Sequence, residues 1–228
     1  MIFCKLKDNK IITADGSHSL YVKGLDEQYH SIHGAIAESR HIFIELGLLE
    51  QAKSKKSIRV LEIGMGTGLN VFLTALYAEQ KQLKIEMMSL EPFPIDLKAA
   101  TGLNYPEKLN APREIFEKIH EFPWMKWEEF SPFFRFHKVN AKLQNFNLSQ
   151  EWDLIYFDAF APEKQTEMWN ETIFQKLFAA LTAGGILVTY CIKGIIRRRL
   201  EKIGFTVEKV PGPVGGKREM MRARKLKD

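Results

Sequence analysis

Two acids and a run of glycines carry the chemistry available to this chain. Asp158 opens Asp158-Ala159-Phe160-Ala161-Pro162-Glu163-Lys164-Gln165, directly after the strand-like run Trp152 to Phe157. Its carboxylate therefore stands at a strand tip, with an aromatic and a proline stiffening the loop behind it. An acid so placed can take a proton from a reacting group beside a bound cofactor. Capping the next helix or bracing the loop is the other work an Asp does at such a place. The glycines lie upstream, in Val60-Leu61-Glu62-Ile63-Gly64-Met65-Gly66-Thr67-Gly68-Leu69-Asn70. An aliphatic run ends in three glycines at alternate positions, and a helical pattern from Leu69 to Gln80 starts at once. Glycine opens torsions closed to other residues and lets a ligand approach the main chain. A helix start adds unpaired N–H groups. These are the properties of a nucleotide-binding turn, although glycine-rich turns also arise without ligands. Glu91 ends the next strand-like run, from Ile85, where a carboxylate can accept hydrogen bonds from ribose hydroxyls. An ordinary exposed strand-end Glu would read the same way.

Spacing then separates the ligand classes. A dinucleotide fingerprint needs a third glycine three residues after the second, and that position is Leu69. Gly64-x-Gly66-x-Gly68, preceded by Glu62, instead resembles motif I of class I S-adenosylmethionine (SAM) methyltransferases. Its usual third element is an acid after the following strand, touching the adenine amine. Here Phe133 to Val139 is followed by Asn140, whose carbonyl oxygen can accept the same bond. The Asp158 segment is a loose analogue of the acidic-Pro-Pro-aromatic motif of amino-methyltransferases. An alkylamine is mostly protonated near neutral pH and must lose a proton before it attacks a sulfonium methyl, which a carboxylate assists.

These residues need a frame, and the chain supplies strands alternating with helices. Lys10 to Ala14 and Ser19 to Val22 read as strands after Ile2 to Leu6, with Asp15-Gly16-Ser17 as a turn. Ile32 to Glu50 has helical apolar spacing. Pro94 to Leu103, Glu107 to Glu121, a stripe from Trp169 to Leu181 stopping at Gly184-Gly185, and Gly194 to Ile203 read as further helices. Ile186 to Cys191, Phe205 to Val210 and Arg218 to Lys225 complete the strands. Such alternation predicts a mostly parallel α/β sheet covered on both faces, with ligands at the carboxyl ends of its strands. That rim would carry Gly64, Glu91, Asn140, Asp158 and Cys191. We read one domain: an N-terminal β/α extension over residues 1–57 and a Rossmann-like core over 58–228.

Composition narrows the class further. The chain has 228 residues and a formal net charge of +5, room for one full α/β core. No apolar stretch reaches the ~20 residues of a membrane span, and the N-terminus lacks the apolar region of a secretory signal. Cys4 and Cys191 are far apart, without metal-ligand spacing, and suggest reduced thiols in a cytoplasmic protein. No metal site is expected. Basic residues gather late: Lys193, Arg197, Arg198, Arg199, then Lys217, Arg218, Arg222, Arg224, Lys225 and Lys227. That asymmetry suits a polyanion such as RNA, or a solvated helix face and tail.

Several blocks together carry a more specific resemblance. They are Asp15 to Tyr21, Glu27 to Ser39, Leu61 to Asn70, Asp158 to Lys164 with Met168-Trp169, Thr189-Tyr190-Cys191 with Lys193-Gly194, and Pro211-Gly212-Pro213 with Gly216 to Met220. They resemble the methyltransferase half of the bifunctional MnmC family of tRNA wobble-uridine enzymes, and its stand-alone relatives. The resemblance implies a class I SAM-dependent tRNA methyltransferase that converts 5-aminomethyl-2-thiouridine at wobble position 34 into 5-methylaminomethyl-2-thiouridine. It makes Asp158 and Tyr190 the catalytic candidates. Glu62, Gly64, Gly66, Gly68, Glu91 and Asn140 are the candidates for SAM, with Ser31 and Glu38 reaching it from a lid that includes Tyr29. Lys193, Arg197, Arg198, Arg199 and Arg218 are the candidates for tRNA phosphates. The family's oxidase half, which exposes the amine, has no counterpart expected here, so a separate enzyme would supply the aminomethyl group. Two other readings stay open: a polyamine synthase transferring an aminopropyl group, and a non-catalytic RNA-binding module on this fold.

Overall fold

The computed structural model describes residues 9–212 and 219–226. The strand expected over Ile2 to Leu6, and the candidate Arg218, lie outside the described residues. A small antiparallel sheet comes first: β1 (Lys10–Ile12), β2 (His18–Val22) and β3 (Glu27–Gln28), in that order. The turn between β1 and β2 does more than reverse the chain. Asp15 Oδ2 accepts from Ala37 N and Thr13 Oγ1 accepts from Ala35 N, which satisfies orphan donors at the start of α1 (Ala35–Ser39). α1 runs into a π-helical stretch, Arg40–Leu48, and ends as α2 (Leu49–Ala52). The helix expected over Ile32 to Glu50 thus begins three residues late. Gly34, at φ +136°, cannot be part of it.

The core follows as β4 (Ser57–Ile63), α3 (Leu69–Lys81), β5 (Lys84–Leu90), α4 (Leu97–Thr101), α5 (Tyr105–Leu109), α6 (Arg113–Glu121), β6 (Trp127–Glu129), β7 (Phe134–Val139) and β8 (Trp152–Phe157). Then come a 3₁₀ turn (Thr166–Trp169), α7 (Glu171–Ala180), β9 (Leu181–Thr189), α8 (Gly194–Ile203), β10 (Thr206–Pro211) and β11 (Glu219–Arg224). Eight strands form one sheet in the order β10-β11-β9-β8-β4-β5-β7-β6. The pairs among β9, β8, β4, β5 and β7 are parallel, and both edges are antiparallel. β4 lies between β5 and β8, so the chain order reverses beside it and opens a crevice at the carboxyl ends. This is the mostly parallel Rossmann-like sheet of class I methyltransferases. Side chains alternate across β4: Ile58 and Val60 join the core on one face, Leu61 and Ile63 the core on the other.

Three helix boundaries differ from the sequence reading. Glu107 to Glu121 is two helices, because Pro112 lacks an N–H and Asn110 takes φ +50° as the cap of α5. The Pro94 to Leu103 helix shrinks to α4, which Asp96 caps through Lys98 N and Ala99 N. The α7 stripe ends at Ala180, and Leu181 already pairs with Trp152 as a strand residue. Strand β6 was not expected at all.

Candidate active site

A cavity of about 640 Å³ opens where β4, β5 and β8 end. Its floor is the turn from Ile63 to Asn70. One wall is Leu90 to Phe93 with Ala141 to Asn145, and the other is Asp158 to Ala161 with Gln165 and Tyr190. Glu27 to Ser31 and Glu38, from the N-terminal extension, close it over.

The three glycines of the turn all have positive φ: Gly64 at +90°, Gly66 at +48° and Gly68 at +76°. Each is also crowded by a different part of the protein. A Cβ on Gly64 would lie 2.6 Å from the Asp158 carbonyl oxygen, one on Gly66 2.7 Å from the Tyr29 ring, and one on Gly68 2.7 Å from His120 Nε2. Tyr29 therefore lies directly over the turn, and its ring also meets Phe160 with centroids 5.2 Å apart. Glu91 holds the turn from the side: Oε2 accepts from Gly66 N and Oε1 from Phe93 N, both at 2.9 Å. Burial pushes the Glu91 carboxyl up against these two bonds.

Asp158 continues β8, its N–H donating to the Ile63 carbonyl at 2.9 Å. Its Oδ2 accepts from Asn70 Nδ2 at 2.9 Å. Burial pushes its carboxyl up to about 7 against that bond, with the Glu38 carboxylate adding to the rise. The loop behind it is braced on three sides. Phe160 N donates to Gln165 Oε1, Trp169 Nε1 donates to the Phe160 carbonyl, and Tyr190 Oη donates to the Ala159 carbonyl. Tyr190 lies on the same wall as Asp158, and burial, with the Asp158 carboxylate adding to it, drives its phenol well above the ordinary range. Five carboxylates line the space (Glu27, Glu38, Glu91, Asp158 and Glu167) against one lysine, Lys142. Such a field suits a cationic ligand.

Gly64, Gly66, Glu91, Ser31, Glu38, Asp158 and Tyr190 thus come together on one cavity. Four other expectations are placed elsewhere. Glu62 is fully buried below the turn, where Ser89 Oγ donates to it. Alternation along β4 explains this, because a residue two positions from Val60 must face the same core. Gly68 caps α3 beneath the floor. Asn140 is exposed, and its Nδ2 donates to the Glu91 carbonyl, so it braces the strand end. Cys191 is buried in the apolar core. Reading the sequence missed Asn70, two residues beyond the last glycine and therefore on the first turn of α3, facing the cavity. It also missed a polar chain in which Thr67 meets His30, Tyr105 and, through its carbonyl, His120. Burial pulls both histidines down to about 4, so they are neutral.

The basic cluster divides. Arg198, Lys193 and Ile195 are exposed around the start of α8. Lys193 pairs with Glu163, Arg197 with Glu201, and Arg199 Nη1 donates to the Trp169 carbonyl. Arg222 and Arg224 turn inward onto Glu50 and Glu208.

Among the described residues, no group of three His, Cys, Asp or Glu could hold a metal, and no helix is long and apolar enough to cross a membrane. A family model described as S-adenosyl-L-methionine-dependent methyltransferase matches residues 118–226. The match takes in just under half of the chain, and the sheet order and glycine-floored crevice are those of the SAM-dependent methyltransferase fold. The chain is 28% identical, over 94% of its length, to the tRNA 5-methylaminomethyl-2-thiouridine biosynthesis bifunctional protein MnmC of Cupriavidus metallidurans. It spans about a third of the length of such curated relatives. The crystal structure of MNMC2 from Aquifex aeolicus superposes with a TM-score of 0.76 at 27% identity, covering 99% of this chain and 72% of that one. Spermidine synthase from Thermotoga maritima shares the fold, with a TM-score of 0.61 at 15% identity over 98% of this chain and 72% of that one. The resemblance to the MnmC methyltransferase part therefore extends over nearly all of this chain.

Proposed function

We propose that this protein methylates the aminomethyl nitrogen of 5-aminomethyl-2-thiouridine at the wobble position of tRNA, giving 5-methylaminomethyl-2-thiouridine. The observation that carries the reading is Asp158 held at the rim by Asn70, facing the same cavity as Glu91 and the glycine turn. SAM, when bound, supplies a methyl group on a positively charged sulfonium. The residues present fit it: Glu91 has further lone pairs for ribose hydroxyls, and five carboxylates face the space a sulfonium would enter. The cavity also lies in the range of small-molecule sites. Ser31 and Glu38 reach the cofactor from the extension, with Tyr29 as the lid. In this reading Gly64 and Gly66 offer main chain to the cofactor, whereas Gly68, Glu62 and Asn140 hold the cofactor site together from outside the cavity.

Asp158 accepts an N–H of the substrate amine, favours loss of its extra proton and aims the nitrogen lone pair. Tyr190 keeps the Ala159 backbone, and hence Asp158, in place. Lys193, Arg197 and Arg198 meet tRNA phosphates beside the mouth, with Arg218 extending that surface. Arg199, committed to the Trp169 carbonyl, orients the loop instead. Methyl transfer installs no amine, so a different activity must make one first. The activity belongs in the cytoplasm, where tRNA is modified.

A second reading has one observation in its favour. The acidic cavity would also accept a polyamine. The assay that decides is methyl transfer from labelled SAM onto tRNA purified with unmethylated aminomethyl uridine, followed by nucleoside analysis. Labelled methylaminomethyl uridine is the expected product. Transfer from decarboxylated SAM to a diamine, with none to tRNA, would replace this reading by the second. SAM binding without any transfer would leave the RNA-binding module.

A further inference from the structure

A file of buried polar side chains runs from the middle of the sheet to the site. Ser89 stands on β5, Glu62 on β4, Asn70 on α3 and Asp158 at the end of β8. Ser89 Oγ donates to Glu62 Oε2 at 2.5 Å, and Asn70 Nδ2 donates to Asp158 Oδ2 at 2.9 Å. Between these bonds, the Asn70 amide lies within hydrogen-bonding reach of Glu62. Two oxygens of this interval, Glu62 Oε1 and Asn70 Oδ1, are buried and lack a hydrogen-bond partner. Both are acceptors, so neither satisfies the other while Glu62 is ionised. One proton on Glu62 gives both a partner at once.

We propose that Glu62 is a carboxylic acid that acts through Asn70 as a positioning residue for Asp158. Its O–H donates to the Asn70 carbonyl and thereby turns the Asn70 NH₂ toward Asp158. This rests on the reading of Asp158 as the group facing the substrate amine. The consequence for that group is definite. An amide can flip, and the flipped form would set its oxygen against the Asp158 carboxylate. The Glu62 proton selects the other form, ties Asp158 Oδ2 and leaves Oδ1 for the amine.

The surroundings favour the acid. Glu62 is 0% exposed, and no ion pair neutralises it among the described residues. Burial pushes its carboxyl up to about 8 against the Ser89 and Asn70 bonds, with the Asp158 and Glu91 carboxylates adding to the rise. The Tyr156 phenol, itself driven up by burial, faces it from β8. Asp158 in turn is faced by Glu38 and Tyr190. Two features of the motif thus gain one explanation: the acid before the glycines and the amide after them.

Two measurements test it. The first is a pH titration of ¹³C-carboxyl-labelled glutamate by NMR, with Glu62 assigned by its loss in Glu62→Gln. A Glu62 carboxyl still protonated at neutral pH is expected; one that ionises below pH 6 would overturn the proposal, whatever the substrate proves to be. The second compares variants by SAM calorimetry and single-turnover methylation. Glu62→Gln keeps a donor for Asn70, so its rate at neutral pH should stay within about threefold of wild type. The wild-type rate should decline as Glu62 ionises above about pH 8, and Glu62→Gln should remove that decline. Asn70→Leu should slow turnover on the order of 10²-fold, the scale of a misplaced reacting group, with SAM affinity unchanged. A large loss of SAM affinity in Glu62→Gln would return Glu62 to the cofactor and sink the proposal. If Asp158→Asn proves as fast as wild type, it is the underlying reading of Asp158 that fails, while the NMR result stands on its own.

Discussion

The cavity rim and the basic carboxyl-terminal quarter handle charge in opposite ways. At the rim, Glu27, Glu38, Glu91, Asp158 and Glu167 face open space, with Lys142 as the one lysine among them. In the carboxyl-terminal quarter, the guanidiniums are largely committed to the protein. Arg222 and Arg224 close onto Glu50 and Glu208, and Arg199 onto the Trp169 carbonyl. The sequence picks out Glu38, Glu91 and Asp158 singly but not the acidic field, because the five acids are scattered from Glu27 to Glu167. The arginines drew notice because they are adjacent. Charge density along a chain reports neighbours in sequence, whereas a ligand meets neighbours in space. An acid aimed into a crevice keeps lone pairs for a cation, whereas a guanidinium closed onto carboxylates has less to offer a phosphate.

The comparison breaks most sharply at Asp158. Asp158→Asn keeps the size and an acceptor but removes the charge, and should lower single-turnover methylation of aminomethyl-bearing tRNA by on the order of 10²–10⁴. SAM affinity by calorimetry should change far less. With its carboxyl up at about 7, the wild-type rate should climb through neutral pH as Asp158 ionises, and the variant should lose that component. Linkage has a definite sign here. The folded pKa lies above the unfolded one, so this group favours the folded state below the ordinary carboxylate range and ceases to do so as pH rises through about 7. Melting curves of wild type and Asp158→Asn should therefore draw apart as pH rises, the variant being the more stable at pH 8. A flat rate profile shared by both proteins would reduce Asp158 to a loop brace.

Glu91 gives the next effect. Glu91→Ala removes the proposed ribose contact and frees Gly66 N and Phe93 N, and should weaken SAM binding by roughly 1.5–3 kcal/mol. Calorimetry that found wild-type affinity in a folded variant would take Glu91 out of the cofactor site. Gly66→Ala meets two obstacles, φ +48° and the Tyr29 ring. It should cost about 1–2 kcal/mol of stability by chemical denaturation, and Tyr29→Ala should relieve only the steric part.

The basic quarter yields the smallest effects, and they should differ in kind. Arg222→Ala breaks a mostly buried network and should lower stability by about 1–2 kcal/mol, between an exposed and a buried ion pair, with little change in the salt dependence of tRNA binding. Arg198→Ala should leave the melting temperature unchanged and flatten the plot of log affinity against log salt by roughly 0.7–0.9. The reverse pattern would mean that the inward arginines reach RNA and the exposed one does not.

Much of the fold was legible in the sequence. The strand over 58–63, the glycine turn and the helix after it were clear, because a hydrophobic period, a φ requirement and a helix start are all local. Boundaries were lost where a distant residue decides them. Gly34 yields the α1 cap to Thr13 and Asp15, and Leu181 joins β9 because Trp152 is there to pair with it. Motif position alone also did not show that Glu62 is buried beneath the turn or that Asn140 bonds the Glu91 carbonyl.

By itself, the sequence determined which groups were available: glycines at alternate positions, an acid after each of two strands, and a late excess of cations. These follow from residue type and spacing, which act over a few residues. Tertiary structure decided which groups share a space. It laid Tyr29 on Gly66, set Asn70 between Glu62 and Asp158, and folded Arg222 and Arg224 away from solvent. The physical reason is that burial and pairing belong to the packed sheet, where residues 88 apart in sequence, Asn70 and Asp158, stand 2.9 Å from each other.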